Sequence, residues 1–231
     1  MKGSLLLVFP MAVYNSERKV DQMKSDKKTH ESRLEFRQEN LFIFLTLLVF
    51  LFVVIRTAWI SDDAYITFRV VENFIHGYGP VYNLGERVQA YTHPLWFFVL
   101  SSVYAIVNNL LGRFFLDARL AWTAIFLSII CSGGAVWLFA RRITRDWWAA
   151  VFGVLLLTFS RAFTDYSTSG LEEALTYLII ALFFARYYKL IDKSKLVQPV
   201  AIGGLTLIAS LGVLNRLDTV LLYAPILAWL I

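Results

Sequence analysis

The chain has 231 residues, of which 58% are hydrophobic and 17% are charged, whereas soluble domains are about 45–50% apolar and about 25% charged. The excess is gathered in runs of roughly 17–23 residues, the length that crosses a hydrocarbon core of about 30 Å. This pattern excludes an ordinary soluble domain. The net charge of +5 does not indicate a nucleic-acid partner, because the Lys and Arg residues cluster beside the apolar runs and mark membrane boundaries.

The chain begins with a mostly polar segment of mixed charge, residues 1–40, which we expect to be a cytoplasmic N-terminal tail. Residues 41–231 are expected to form the N-terminal part of a transmembrane domain. Its first apolar run is about Leu41–Trp59. Residues 64–76, beyond a polar break, place apolar and polar side chains on opposite sides at a helical period, which predicts a helix in the membrane interface. Residues 77–93 are rich in Gly, Asn and Tyr and predict a loop.

The later apolar runs predict an all-α, multi-spanning bundle with about six spans. The basic clusters around Arg141 and Lys193 are assigned to the cytoplasm by the positive-inside rule. An odd number of crossings must then lie between the first run and Arg141, so we predict that Pro94–Leu111 does not cross. It would be a juxtamembrane helix in a first periplasmic loop, 60–117. The runs are Pro94–Leu111, Ala118–Ala140, Trp147–Phe163, Ala174–Leu190, Val200–Leu214 and Thr219–Ile231.

The last run, Thr219–Ile231, is too short to span a bilayer, and we expect the chain to be a truncated part of a longer protein. The predicted topology also places three polar segments on the outer face, namely 61–63, 167–173 and 215–218. None of these residues entered the orientation argument. Their coincidence on one side therefore predicts a shared site.

The adjacent carboxylates of Asp62 and Asp63 are the first candidates for chemistry. Two neighbouring acids repel each other, which favours one of them as a general base. Carboxylate oxygens also suit a divalent cation. The alternative is structural, because acids at a helix N-terminus favour the helix dipole. Glu172, which precedes a spanning run, has the same two interpretations.

Arg216 and Asp218 lie between two apolar runs, where ionisable groups are costly and often functional. The alternative is an ion pair that allows a tight turn at the interface. Tyr91 could stack on a sugar or a polyprenyl chain, or it could belong to an interfacial aromatic belt. His76 and His93 have no metal-ligand spacing with each other.

Five segments together resemble the motifs of one enzyme superfamily. The first loop carries SDDAYITFR from Ser61, YNLGERV from Tyr82 and YTHPLW from Tyr91, while YSTSGLEE from Tyr166 and NRLD from Asn215 follow in order. They resemble GT-C superfamily glycosyltransferases, and the bacterial branch with the terminal arabinofuranosyltransferases most closely. The resemblance covers residues from about 60 to 220.

The resemblance implies a multi-pass enzyme of the bacterial inner membrane, with a cytoplasmic N-terminus and a periplasmic active site. Such enzymes transfer sugar from a polyprenyl-phosphate donor to a glycan, lipid or protein acceptor. It implies that Asp62 or Asp63 is the catalytic base and that Glu172 and Arg216 line the same cavity. Arg216 or Arg69 would steady the leaving phosphate.

The resemblance also makes Tyr91, His93 and Asp218 candidate substrate-binding residues. His93 stands where Asn or Ser is usual in this branch, and Gln89-Ala90 stands where Glu-Gly is expected. Members of the branch commonly have more helices and a further periplasmic domain. Two other functions remain alternatives from the sequence: a transporter or flippase of a lipid-linked substrate, and an inactive, truncated membrane subunit.

Overall fold

A computed structural model of the chain describes residues 37–86, 88–111, 119–191 and 199–230, and all regular secondary structure within these ranges is helical. Most of the predicted N-terminal tail and Lys193 therefore lie outside the described residues. The helices are α1 Arg37–Arg56, α2 Asp62–Ile75, α3 Pro94–Leu111, α4 Arg119–Leu138, α5 Trp147–Phe159, α6 Arg161–Tyr166, α7 Glu173–Ile191, α8 Pro199–Asn215 and α9 Val220–Leu230. A π-helical turn, Phe139–Ile143, extends α4, and a 3₁₀ turn, Leu217–Thr219, precedes α9.

Three helical segments among the described residues are long and apolar enough to cross a membrane: Arg37–Arg56, Arg119–Ile143 and Glu173–Ile191. Shorter apolar helices include Trp147–Phe159 and Pro199–Asn215. The prediction of a helical membrane protein is confirmed, whereas about six spans and the periplasmic loop stay predictions. The chain divides into two compact units within α1, after Phe44, and the site described below lies in the second unit.

The predicted juxtamembrane segment forms one helix, α3, with the predicted bounds Pro94–Leu111. Proline is favoured in the first turn of a helix, because its fixed φ suits the turn and because an N–H at that position would have no partner within the helix. α3 packs against α2, α4 and α8. Trp96, Phe97 and Leu100 are fully buried on this face, so the start of α3 is anchored in the protein core.

Helix α2 is amphipathic, as its sequence period predicts. Phe68 and Val71 are buried, while Arg69 and Glu72 on the other side are exposed. Phe74, near the end of the helix, is 37% exposed, and its ring packs edge-on against the rings of Phe97 and Phe98 on α3.

The run Trp147–Phe163 was predicted as one element and forms two helices. Ser160 adopts an extended backbone between α5 and α6, with φ −77° and ψ 104°. Its N–H still bonds to Leu156 O, and its carbonyl accepts from Thr164 N. A single serine between two helices barely changes the mean hydropathy of the run, which explains why the break was not predicted.

The central helix α7 packs against α4 and α8. Close approach beside α9 requires Gly212 on α8, because a Cβ at this position would lie 2.5 Å from the ring of Tyr223. Tyr223 is itself 1% exposed and packs against Phe183 of α7. This packing holds α9 against α7 and α8, and the end of α8 reaches the start of α7 through the bond from Asn215 to Glu172 O.

Candidate functional site

The segment before α2 lies alongside the segment before α7. The backbone N–H of Ser61 donates to Ser169 O across 2.9 Å. The indole N–H of Trp59 donates to Asp165 O across 2.9 Å, and its backbone N–H donates to Thr168 Oγ1 across 3.4 Å. Two of the three polar segments singled out in the sequence are therefore joined through their backbones.

Gly170 is the closest point of this junction. Its φ is +81°, a backbone conformation that residues other than glycine rarely adopt. A Cβ would also lie 3.1 Å from Ala64 Cβ and 3.2 Å from Phe68 Cζ. Its carbonyl accepts a buried hydrogen bond of 3.0 Å from the indole N–H of Trp96. Gly170 thus lets α2, α3 and the start of α7 meet.

His93 connects α2 to Glu172 in the interior of the site. Its Nε2 lies 3.0 Å from Thr67 Oγ1, and its Nδ1 lies 3.2 Å from Glu172 Oε2. His93 is 7% exposed. Burial lowers the pKa of His93, because it disfavours the imidazolium, and the charge of Glu172 offsets part of this effect by raising the pKa. The predicted substrate-binding His93 therefore lies mainly against protein.

The third polar segment, 215–218, contacts Glu172 and its neighbour Glu173. Asn215 Nδ2 donates to the backbone oxygen of Glu172 across 3.0 Å and to Thr176 Oγ1 across 2.9 Å. Next to it, Arg216 Nη1 donates to Glu173 Oε1 across 3.2 Å. The second segment, 167–173, therefore contacts both of the others: the first at Ser169, and the third at Glu172 and Glu173.

Arg216 also pairs with Asp218, whose two carboxylate oxygens accept from Arg216 Nε at 3.0 and 3.1 Å. Burial by itself lowers the pKa of Arg216, but Asp218 and Glu173 outweigh it and raise the pKa above its usual value. The Arg216 side chain is 40% exposed. It is a permanent cation that keeps an accessible surface at the edge of the site.

Asp62 and Asp63 lie exposed in the first turn of α2. Asp62 Oδ1 accepts from Asp63 N at 3.0 Å and from Ser61 Oγ at 3.3 Å. With the described residues, the Asp63 carboxylate forms neither a hydrogen bond nor an ion pair. The capping interpretation therefore fits Asp62 better than Asp63.

Protein ligands for a divalent cation are not identified in this part of the chain. Among the described residues, no group of three or more His, Cys, Asp and Glu side chains is placed to hold a metal ion. Asp62 and Asp63 would supply two carboxylates at most. We therefore derive no chemical step through a metal.

Arg69 and Tyr91 shape the loop between α2 and α3. Arg69 Nε donates to Tyr82 O across 3.0 Å, and its guanidinium lies 4.6 Å from the centroid of the Tyr82 ring. Tyr91 stacks on Phe97 with a centroid distance of 4.5 Å and lies 6.4 Å from the His93 ring. Both predicted binding residues thus have structural partners, and Arg69 remains exposed.

Two cavities adjoin the site. An apolar cavity of about 330 Å³ lies along α7 from Tyr177, one turn after Glu173, to Tyr188. This stretch of the helix is roughly 16 Å long at 1.5 Å per residue. A second cavity, of about 620 Å³, has a mixed lining that includes Trp59, Arg161 and Asp165. Ligand sites of about 300–1,000 Å³ are typical for small molecules.

Sequence reasoning assigned no role to Thr67 or Asn215. A signal for Thr67 was available, because it is the polar position within the apolar stripe formed by Ala64, Phe68 and Val71. A polar side chain on a buried face requires a partner, and His93 supplies it. Asn215 lies at the end of an apolar run, where the sequence alone does not distinguish a buried amide from a surface one.

The structure is that of a helical membrane protein with a polar site. Its longest apolar helices are long enough to span a bilayer, and ionisable residues cluster where helix ends meet. Within that class, the chain is related to arabinofuranosyltransferases over about half of its length, which confirms the resemblance seen in its motifs. It is 38% identical over 124 residues to a terminal beta-(1->2)-arabinofuranosyltransferase of Corynebacterium glutamicum. It is 30% identical over 134 residues to the protein of the same name from Mycobacterium tuberculosis.

Each match covers 54% of this chain, but only 18% and 20%, respectively, of the two relatives. The matched segment thus spans about a fifth of the length of these curated proteins. No protein-family model matches the chain. No solved structure matches it either.

Proposed function

We propose that the chain belongs to a membrane glycosyltransferase that transfers a sugar from a polyprenyl-phosphate donor to a cell-envelope glycan, lipid or protein on the outer face. One observation carries this proposal. Three polar segments that are distant in sequence meet at residues 169–173, where Ser61 bonds to Ser169, Asn215 to Glu172 and Arg216 to Glu173. An apolar cavity begins one turn further along α7. The similarity to two arabinofuranosyltransferases supports the same reaction class.

The donor needs a cation beside a long apolar surface. Arg216 supplies the cation, because a guanidinium binds phosphate oxygens through several N–H groups at once. The apolar cavity begins at Tyr177, whose ring stacks on Phe163 at 4.5 Å. A polyprenyl chain in this cavity would place its phosphate near Arg216. A soluble nucleotide-sugar donor would have no use for such an apolar surface.

The acceptor needs a polar surface near the base. The mixed cavity offers the partly exposed indole of Trp59 and the ion pair of Arg161 with Asp165, whose Nε–Oδ2 distance is 3.2 Å. The indole is held in place by its hydrogen bond to Asp165 O. Sugar hydroxyls can bond to the charged groups while a ring face packs on the indole. Trp59 lies two residues before Ser61, so this cavity is close in the chain to Asp62 and Asp63.

The proposed reaction is a single displacement. Asp62 or Asp63 accepts the proton of an acceptor hydroxyl, and the hydroxyl oxygen forms a bond to the anomeric carbon of the donor. The bond from that carbon to the phosphate oxygen breaks, and polyprenyl phosphate leaves with the electron pair. Arg216 stabilises the charge that develops on the phosphate.

The experiment uses the complete natural protein in liposomes with a polyprenyl-phosphate pentose that carries a radiolabel in the sugar. The readouts are label in an acceptor oligosaccharide and, separately, label moved across the bilayer. We expect transfer by the wild type, and loss of transfer in the double variant Asp62→Ala, Asp63→Ala. Asp146→Ala, an exposed acid at the start of α5, should retain transfer.

Transfer by the double variant would overturn the assignment of the base. Movement of label without transfer by the wild type would overturn the glycosyltransferase proposal in favour of a transporter. Equal membrane insertion of all variants, checked by detergent extraction and size-exclusion chromatography, separates loss of chemistry from loss of folding.

A further inference from the structure

In the interior of the site, His93 lies between Thr67 and Glu172: its Nε2 is hydrogen-bonded to Thr67 Oγ1 at 3.0 Å, and its Nδ1 lies 3.2 Å from Glu172 Oε2. A carboxylate oxygen only accepts, so its negative charge favours a proton on the facing Nδ1 of His93. A neutral imidazole then carries a lone pair on Nε2, and the hydroxyl of Thr67 can donate to it. All three groups are satisfied together when His93 is the neutral tautomer with the proton on Nδ1.

The opposite tautomer would break this arrangement. A proton on Nε2 would leave a lone pair on Nδ1 facing the carboxylate of Glu172 at 3.2 Å. Two acceptors would then face each other in a buried position, which costs free energy. Glu172 therefore selects the tautomer, and the hydroxyl of Thr67, which can donate or accept, holds the ring in place through Nε2.

Glu172 keeps one oxygen for another partner. Its Oε2 lies 3.2 Å from His93 Nδ1, and its backbone oxygen accepts a hydrogen bond from Asn215 Nδ2. Oε1 has no hydrogen-bond partner among the described residues and is not among their buried unpaired atoms. The side chain is 14% exposed, so Oε1 is the accessible acceptor of a carboxylate that is otherwise fixed.

We propose that His93 is a positioning residue, with its ring held by Thr67 and its Nδ1–H tautomer set by Glu172, so that Glu172 Oε1 is aimed at a sugar hydroxyl. The inference rests on the proposed function for the presence of a sugar, and it adds the hydroxyl as the chemical group that Glu172 recognises. The hydroxyl can belong to the donor sugar or to the acceptor, because the chemistry is the same for both.

The first test is spectroscopic and does not depend on transfer. The sequence contains three histidines, so the complete protein with His30→Gln, His76→Gln and any further histidine outside this chain replaced by Gln would retain His93 alone. Nitrogen NMR with ¹⁵N-labelled histidine at pH 7 should show a protonated Nδ1 and an unprotonated Nε2. Glu172→Gln replaces the carboxylate with an amide that can donate as well as accept, and it should produce a mixture of tautomers. An Nε2–H tautomer or an imidazolium in the protein with Glu172 would overturn the inference.

The second test measures transfer. Thr67→Val should lower kcat/KM by about tenfold, which corresponds to about 1.4 kcal/mol of lost transition-state stabilisation, and Thr67→Ser should restore most of it. The matched control is Thr123→Val, because Thr123 is equally buried and its hydroxyl bonds to Arg119 O of its own helix. A rise in KM for the donor alone assigns the hydroxyl to the donor sugar, and a rise for the acceptor alone assigns it to the acceptor.

The outcomes separate the two proposals. A wild type that performs no transfer overturns the proposed function, and with it the sugar as the partner of Glu172, whatever the NMR result. A wild type that performs transfer, with Thr67→Val no weaker than Thr123→Val, overturns the inference and leaves the proposed function standing.

Discussion

Asn215 donates a hydrogen bond across 3.0 Å to the backbone oxygen of Glu172, and so joins the end of α8 to the start of α7. Asn215 is fully buried, and the second N–H of its side-chain amide donates to Thr176 Oγ1. The same oxygen also accepts from the backbone N–H and the hydroxyl of Thr176, each at 3.0 Å. Asn215 thus helps to fix the backbone at Glu172, whereas His93 contacts its side chain.

Replacing Asn215 should therefore loosen the site. Asn215→Ala removes two buried donors, and we expect a loss of about 1–3 kcal/mol in the free energy of unfolding. The measurement is thermal unfolding in one detergent, with Asn83→Ala as the control, because Asn83 is exposed and bonds to Glu86 in the loop. Equal midpoints for the two variants would contradict a stabilising role for Asn215.

Gly170 should tolerate no side chain. Gly170→Ala places a Cβ at φ +81° and within 3.1–3.2 Å of three atoms, on Ala64, Ile60 and Phe68. We expect a cost of about 1–3 kcal/mol from backbone strain alone. Gly203→Ala on α8 is the matched control, because a Cβ there has no atom within 4 Å. The prediction fails if the two variants unfold at the same temperature in detergent.

The helices were largely predictable because hydropathy and charge act locally. α3 has the predicted bounds, since Pro94 begins it and apolar residues continue without a break. The break at Ser160 was missed because a single extended residue does not change the hydropathy of the run. Periodicity also identified the buried face of α2, where Phe68 and Val71 lie.

The site was predictable as a set of segments but not as a set of contacts. The sequence singled out Glu172 and His93, yet it contained no reason to pair them or to add Thr67 as the second partner of His93. Such pairings depend on how helices pack, which sequence periodicity does not specify. Arg216 was expected to pair with Asp218 as the structural alternative, and the structure adds Glu173 as a second partner.

The two adjacent acids should differ in importance. Asp62 already accepts hydrogen bonds from Asp63 N and Ser61 Oγ, whereas the Asp63 carboxylate has no partner among the described residues. If the free carboxylate is the base, Asp63→Asn should reduce kcat by about 10²-fold or more, which is the range of general-base catalysis. Asp62→Asn should have a smaller effect on kcat in the same transfer assay. A larger loss in Asp62→Asn would reverse the assignment.

His93 should make stability depend on pH. Burial lowers its pKa in the folded protein below the ordinary value of 6.5, so the unfolded chain binds a proton at a higher pH than the folded one. Stability from this residue is therefore complete above pH 6.5, and it falls as the pH drops through 6.5 towards the folded pKa. The slope is at most about 1.4 kcal/mol per pH unit.

The measurement compares thermal unfolding of the wild type and His93→Gln between pH 7.5 and 5.5. The groups that face His93 are Glu172, Thr67 and Tyr91, and both proteins contain all three. The wild type should lose more stability than the variant over this range. A pH dependence that is identical in the two proteins would show that His93 binds its proton equally well when folded and unfolded.

Arg216 should set the affinity for the lipid phosphate. Arg216→Lys keeps the charge but cannot bond to Asp218 and Glu173 through a planar guanidinium, so donor KM should rise by about tenfold with a smaller change in kcat. Arg216→Gln removes the charge beside two acids and should raise KM further, because Glu173 and Asp218 would then repel the phosphate. Competition by polyprenyl phosphate without a sugar gives the affinity directly. Arg142→Gln, an exposed arginine of the π-helical turn, is the control, and an equal affinity in Arg142→Gln and Arg216→Gln would exclude Arg216 as the phosphate ligand.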